Sequence, residues 1–220
     1  MKKILFLTLS LFCMFNLNAQ NIGLKFGLNL AGLNFGHDLQ SQFDAIDAES
    51  KTMMGLTGGV SFAFELSETV DLDLGLSFTQ RGTTWSIPSF TGDGTIDELS
   101  RTLNFIDIAP LFKFNYAGDF SVLIGPYVGY AISGTDDVYE IDNALNYTIV
   151  TEPIDDFEAA EINTLDYGLN IGASYVINNA VDIRAGYSLG FANLNAAEDQ
   201  EDIDVSTTSN GLYLTVGYLF

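Results

Sequence analysis

Alternation with a period of two constrains this chain more than any other feature. Residues 211–220 read GLYLTVGYLF, with Leu212, Leu214, Val216, Tyr218 and Phe220 on one face and Gly211, Tyr213, Thr215, Gly217 and Leu219 on the other. Such a pattern marks a strand whose two faces meet different surroundings. It recurs at residues 22–33, 55–66, 70–81, 102–116, 120–132, 164–177 and 181–192. Strands in soluble domains usually have about five or six residues. These runs are longer and match strands that cross a bilayer at a tilt. Eight of them predict an all-β fold, an eight-stranded antiparallel transmembrane β-barrel.

The connections alternate in length. Ser67-Glu68-Thr69, Ala117-Gly118-Asp119 and Asn178-Asn179-Ala180 are tight turns, whereas residues 34–54, 82–101, 133–163 and 193–209 read as long loops. Short periplasmic turns and long extracellular loops are the asymmetry of outer-membrane barrels. Pro110 and Pro126 fall inside strands, where proline cannot donate to a ladder. Each is expected to mark a bulge or a rung that tolerates the missing donor.

Which face turns inward follows from size and charge. The apolar face of each run carries no Asp, Glu, Lys or Arg. The opposite face carries many glycines, such as Gly23, Gly27, Gly75, Gly168 and Gly186, together with all the strand charges. An eight-stranded barrel has an interior just wide enough for side chains. Small and charged residues inside and large apolar ones facing lipid is therefore the expected arrangement. Aromatics collect near strand ends, Phe114, Tyr116, Phe120, Tyr175, Tyr218 and Phe220 by the short turns and Phe78, Tyr130, Tyr167 and Phe191 by the long loops. Interfacial belts need aromatics at those places.

The N-terminus, MKKILFLTLSLFCMFNLNAQ, has a basic start, an apolar run from Ile4 to Phe15 and a small residue, Ala19, before Gln20. Its apolar run is short for a span of about 20 residues. Residues 1–19 are expected to be a cleaved signal peptide, and residues 20–220 one barrel domain without a linker. Cys13 is the single cysteine and would leave with the leader, so no disulfide or thiolate metal site is expected in the mature chain. The remaining chain has six basic residues against 29 acids, a formal charge of −23. That charge argues against nucleic acid as a partner.

Four segments carry a family resemblance: IDIAPLFKF at 106–114, IGPYVGY at 124–130, LDYGLNIGASY at 165–175 and RAGYSLGFANL at 184–194. With the closing GYLF, they make the chain resemble the PorT-like outer-membrane β-barrel family, also described as porin-family or outer-membrane β-barrel proteins. The resemblance covers nearly the whole mature chain. It implies an eight-stranded barrel in the bacterial outer membrane and no single activity, since fold does not give function; no cofactor is expected. Leu219 departs from the basic residue that relatives commonly carry before the final aromatic. Relatives linked to secretion machinery imply a partner-dependent role with a protein of that machinery, while the acidic loops suggest an extracellular ligand.

Three constellations could carry chemistry. Lys25, Asp73, Arg81, Asp107, Lys113, Asp166, Asp182 and Arg184 share the inward face. They are expected to form a charge network that fills a narrow bore, with an ion path as the alternative. Asp136, Asp137, Asp155, Asp156, Asp199, Asp202 and Asp204 crowd the third and fourth long loops. Clustered carboxylates suit Ca²⁺ or Mg²⁺, although residues 199–204 lack the glycine of an EF-hand loop. A solvated acidic surface is the simpler reading. His37, the sole histidine, stands beside Asp38 and near Ser41, yet no nucleophile motif accompanies it. The expectation is a monomeric, non-enzymatic barrel in outer-membrane lipid that presents acidic loops to a ligand, partner or cation. A narrow porin is the runner-up, and a hydrolase using His37 the third reading.

Overall fold

The computed structural model describes residues 21–89, 96–141, 147–197 and 204–220. The leader, and Asp199 and Asp202 of the fourth loop, lie outside the described residues.

The elements in chain order are β1 (Asn21–Phe35), α1 (His37–Ala45), β2 (Glu49–Ser67), β3 (Val70–Pro88), β4 (Ile96–Ala117), β5 (Phe120–Ile141), β6 (Tyr147–Pro153), β7 (Leu165–Ile177), β8 (Val181–Gly190) and β9 (Thr207–Leu219). Every pairing is antiparallel. β1 to β5 pair in sequence, β5 continues to β7, β8 and β9, and β9 closes on β1 with Leu24 opposite Tyr218 and Leu30 opposite Leu212. Eight strands make the ring. β6 lies outside it and, among the described residues, pairs only with the far end of β5, from Thr135↔Pro153 to Ile141↔Tyr147.

The expected inside-out distribution is present. The outer surface carries Phe26, Leu28, Ile108, Phe112, Val128, Ile171 and Leu214, all exposed. The ten end-of-strand aromatics are exposed there as well, from Tyr116 to Phe191. The buried side holds Asn29, Ser61, Thr79, Ser121, Ser174 and Thr215 beside the charged residues described below. Apolar-out burial is stable in lipid because the ladder satisfies the backbone and the tails receive the side chains.

The three short turns fall at the expected places. Asn178 and Asn179 both have positive φ, 52° and 54°, and the Ala180 N–H donates to the Ile177 carbonyl at 3.1 Å. Paired positive φ suits the twist of a two-residue hairpin, and Asn tolerates it.

One expectation needs correction. Much of the expected long loops is strand: β3 and β4 stay paired out to Pro88↔Ile96, and β5 runs on to Ile141. Polar sequence suggested loop, yet cross-strand groups hold these extensions in water. Thr84 and Ser100 hydroxyls share a hydrogen bond of 2.9 Å, Lys51 reaches Glu98 at 3.2 Å, and Tyr139 Oη donates to Asp97 at 3.0 Å. The prolines follow the second of their two expected readings, a rung that tolerates the missing donor. Neither makes a bulge. In the β4–β5 ladder Ile108 faces Val128 and Phe112 faces Ile124 in unchanged register, which sets Pro110 opposite Pro126. Two missing donors thus coincide at one interrupted rung. The bulges fall elsewhere, at Asn104/Phe105 and Asn115/Ala117.

Candidate functional site in the lumen and at its outer mouth

The inward charges assemble into two buried clusters at different heights. Nearer the short turns, Arg184 donates through Nε to Asp182 and through Nη2 to Asp73, both at 2.6 Å. Nearer the long loops, Arg81 makes a bidentate pair with Asp107, at 2.9 and 2.8 Å, and its Nε lies 3.5 Å from Asp166. Asp166 also accepts from the Ser209 hydroxyl at 2.6 Å and from the Tyr127 hydroxyl at 3.2 Å. The Arg81 guanidinium sits over the rings of Phe105 and Tyr127, 4.6 and 5.0 Å from their centroids. A buried charge is tolerable only where its partners and hydrogen bonds are supplied, and a bidentate carboxylate and an aromatic face supply them here.

Lys25 and Lys113 stand apart from these pairs. Both are half-buried, and neither makes an ion pair within 4 Å among the described residues. Lys25 lines a polar cavity of about 70 Å³ between the clusters, with Asn170, Arg184, Tyr213 and Thr215 also on its wall. Each of those four has a buried polar atom without a partner among the described residues. A polar space of that size can hold several waters to satisfy them.

Above the Arg81 cluster the bore becomes apolar. Leu103, Phe105 and Ala131 of the wall pack with Ile162 and Leu194 of the loops, and Ile154, Phe157 and Ala160 lie against them. The segment after β6 therefore folds inward over the lumen. The Ile162 N–H donates to the Phe157 carbonyl at 2.8 Å, and Ala196 N–H to the Glu161 carbonyl at 2.8 Å, which fixes this lid to the β8–β9 loop.

Beside the lid lies a second cavity, of about 320 Å³, at the outer mouth. Its wall combines Leu33 and Phe35 of β1, Leu39 and Phe43 of α1, and Trp85 of β3 with Leu103 and Ile162. Phe35 meets Phe43 edge-on at 5.0 Å, and Trp85 lies 6.3 Å from Phe35 and 6.4 Å from Phe43. Sequence reading did not single out this pocket. Its one local signal is Leu39 and Phe43 four residues apart, hence on one face of a helix.

The described carboxylates among those proposed for cations, Asp136, Asp137, Asp155, Asp156 and Asp204, do not converge. Asp136 is held by Arg101 at 2.7 Å through two nitrogens. Asp137 accepts from Ser100 N–H at 2.9 Å and the Thr151 hydroxyl at 2.6 Å. Asp156 caps Glu158 and Ala159 N–H, Asp155 is exposed, and Asp204 accepts from Ser206 N–H at 3.1 Å. Among the described residues no group of three acids or histidines could hold a metal ion. His37 begins α1 and is exposed; Ser41 donates its hydroxyl to the His37 backbone carbonyl at 2.8 Å, as a helix side chain does. Asp38 accepts from Asp204 N–H at 2.7 Å. These bonds staple α1 to the β8–β9 loop and form no nucleophile–base pair.

Residues 17–195 match the family model described as "Outer membrane protein beta-barrel domain". No curated protein matches the sequence. Among solved structures, Neisserial surface protein A superposes with a TM-score of 0.50 at 12% identity, over 90% of this chain and 97% of that one. Ail, the attachment invasion locus protein of Yersinia pestis, crystallised with the heparin analogue sucrose octasulfate, gives a TM-score of 0.46 at 12% identity, over 91% and 98%. At such identities the likeness is one of fold.

Proposed function

The chain belongs to the outer membrane protein beta-barrel domain family of the bacterial outer membrane, and from that premise we propose that it is a non-enzymatic, non-conducting surface barrel that presents its outer end to an extracellular ligand or partner. The observation that carries this reading is the filled bore. Two buried arginine–carboxylate clusters and an apolar lid are stacked along a lumen that eight strands leave narrow. What faces the medium is a paired extension. β4 continues from Arg101 out to Ile96 and β5 from Asp136 to Ile141, with β6 alongside. Asp97, Glu98, Asp136, Asp137, Glu140 and Glu152 give that extension an acidic character. The finer kinship with PorT-like barrels, on IDIAPLFKF and its companion segments, belongs to the same proposal, as does a secretion-machinery protein as the partner.

The test is single-channel recording of the refolded protein in a planar bilayer, with folding verified by heat-dependent gel mobility. Silence from the folded form is expected. Reproducible conductance steps, with ion selectivity that changes on neutralising Lys113 or Arg184, would replace this reading with the narrow porin. Loss of partner binding on trimming the β5–β6 extension, with the barrel still folded, would place the contact there.

A further inference from the structure

We propose that the outer edge of β6 is a docking edge for an extended basic segment of a partner protein, which adds to it as an antiparallel strand. The inference rests on the surface-binding reading above and names the partner's chemistry.

The backbone comes first. β6 pairs with β5 along one edge, and among the described residues no strand pairs with its other edge. The Ile154 N–H donates to the Gly134 carbonyl at 2.9 Å, one rung beyond Thr135↔Pro153. Bonded and non-bonded pairs alternate along an antiparallel ladder. Glu152, Val150 and Thr148 therefore turn their backbone groups toward β5, whereas Pro153, Thr151 and Ile149 turn theirs outward. Pro153 agrees with this phase, because its missing donor falls on the outward side and costs the β5–β6 ladder nothing. Thr151 and Ile149 leave an N–H and a carbonyl each on the outer edge.

An edge of this kind is a template for another strand, and proteins usually blunt it with lysine, proline or a bulge. Residues 147–151 read YTIVT, all aromatic or β-branched, with proline only at the end of the strand and no lysine in it. Such residues favour strand. The β5–β6 register runs without a bulge, and Ile149 and Thr151 are exposed.

Charge selects the occupant. Residues 136–163 hold nine acids and no lysine or arginine. A second copy of this chain would set one acidic segment against another, which disfavours self-pairing. Asp136 is already held by Arg101, but Glu140 and Glu152 are exposed and make no ion pair among the described residues. By register and alternation they share one face of the hairpin, while Ile149 and Thr151 share the other. A strand that alternates basic and apolar residues fits both faces, with main-chain bonds for affinity and side chains for choice. Opposed residues of an antiparallel pair share a face, so the partner's apolar residues are the ones whose N–H groups point at β6.

The probe is the acetylated, amidated peptide Lys-Val-Lys-Ile-Lys-Val-Lys, added to the ¹⁵N-labelled full chain in nanodiscs of zwitterionic phospholipid. Saturable binding is expected, with slowed hydrogen exchange at the Ile149 and Thr151 amides. The Val150 amide, turned toward β5, should be protected with or without peptide. N-methylation of the valines and isoleucine removes the donors aimed at β6 and should weaken binding by at least about tenfold. N-methylation of the inner lysines should leave binding unchanged. Ile149→Pro deletes an outward donor and should abolish protection at Thr151 while Val150 stays protected. Should Val150 lose protection in that variant, the hairpin has opened, and Glu140→Gln with Glu152→Gln decides instead: roughly fivefold weaker binding is expected, and unchanged binding would overturn the proposal. No saturable binding, binding without amide protection, or equal loss from the two N-methylated peptides would overturn it too, leaving a general attraction of cations to an acidic surface. Protection of Ile149 and Thr151 that rises with protein concentration and without peptide would give the edge to a second copy and also overturn it. A silent, folded barrel that ignores the peptide would remove this edge and leave the surface reading standing; a conducting barrel that binds it would do the reverse.

Discussion

Arg81 donates to both oxygens of Asp107 and reaches toward Asp166, and its side chain is only 7% exposed. Removing it leaves two nearly buried carboxylates without their cation. Arg81→Ala should therefore cost about 3–5 kcal/mol, read as a lower urea midpoint for folding in lipid vesicles. Replacing Arg81, Asp107 and Asp166 together by apolar residues of similar volume should recover most of that loss, because no uncompensated charge remains. If the triple replacement were as unstable as the single one, ion pairing would not be what matters at this level. At the surface, Asp204 offers a pH test of smaller scale. Hydrogen bonds from the Ser206 hydroxyl and N–H hold its carboxyl below the usual carboxylate range. A depressed folded-state value means the contribution is present above the unfolded value near 3.8 and fades as pH falls through the folded one. The Ser206 amide resonance should move with a midpoint below 3.8, and Asp204→Asn should erase that step.

The strands show which features follow from local pattern and which need partners. A residue facing lipid must be apolar and one facing a narrow lumen must be small or paired, so period two reveals strand and face together. Partnership across strands is another matter. That Arg81 meets Asp107 and Asp166, while Arg184 meets Asp73 and Asp182, depends on register around the ring, which no single segment encodes. The mouth pocket was harder still, because Phe35, Phe43 and Trp85 come from three elements. Pro110 and Pro126 read separately as two irregularities, and only the β4–β5 register makes them one rung. The backbones approach closely there: a Cβ on Gly125 would run into the Pro110 carbonyl oxygen. Gly125→Ala should cost about 1–3 kcal/mol as overpacking. At Gly118, in the β4–β5 turn, nothing lies within 4 Å, and the positive φ of 55° alone should make Gly118→Ala cost about 1–2 kcal/mol. Urea unfolding of both variants separates contact from backbone strain. The β5–β6 extension is the most dispensable element, since β6 joins no other strand among the described residues. Replacing residues 138–151 by a short glycine-rich turn should leave the heat-resistant folded band intact; its loss would make β6 part of what closes the ring.

For the whole molecule, lipid is the solvent against which the fold is stable, and that dependence has a depth profile. The apolar belt runs between two aromatic girdles, with Leu214 exposed near its middle, opposite Leu28 of β1. Leu66 is also exposed, but it lies at the belt's edge beside the Ser67–Thr69 turn. An arginine at mid-depth must either lose its hydration or thin the bilayer, whereas one at the edge reaches the headgroups. Leu214→Arg should therefore destabilise the barrel by about 2–4 kcal/mol and Leu66→Arg by about 0–1 kcal/mol, measured by reversible urea titration in phospholipid vesicles. Thinner bilayers should shrink the first penalty toward the second, because the buried depth falls. A water-soluble barrel would show no such dependence on position or on lipid thickness. Equal costs at Leu214 and Leu66 would thus contradict the assignment of this surface to the membrane, and with it the ordering of lumen, lid and mouth along the bilayer normal.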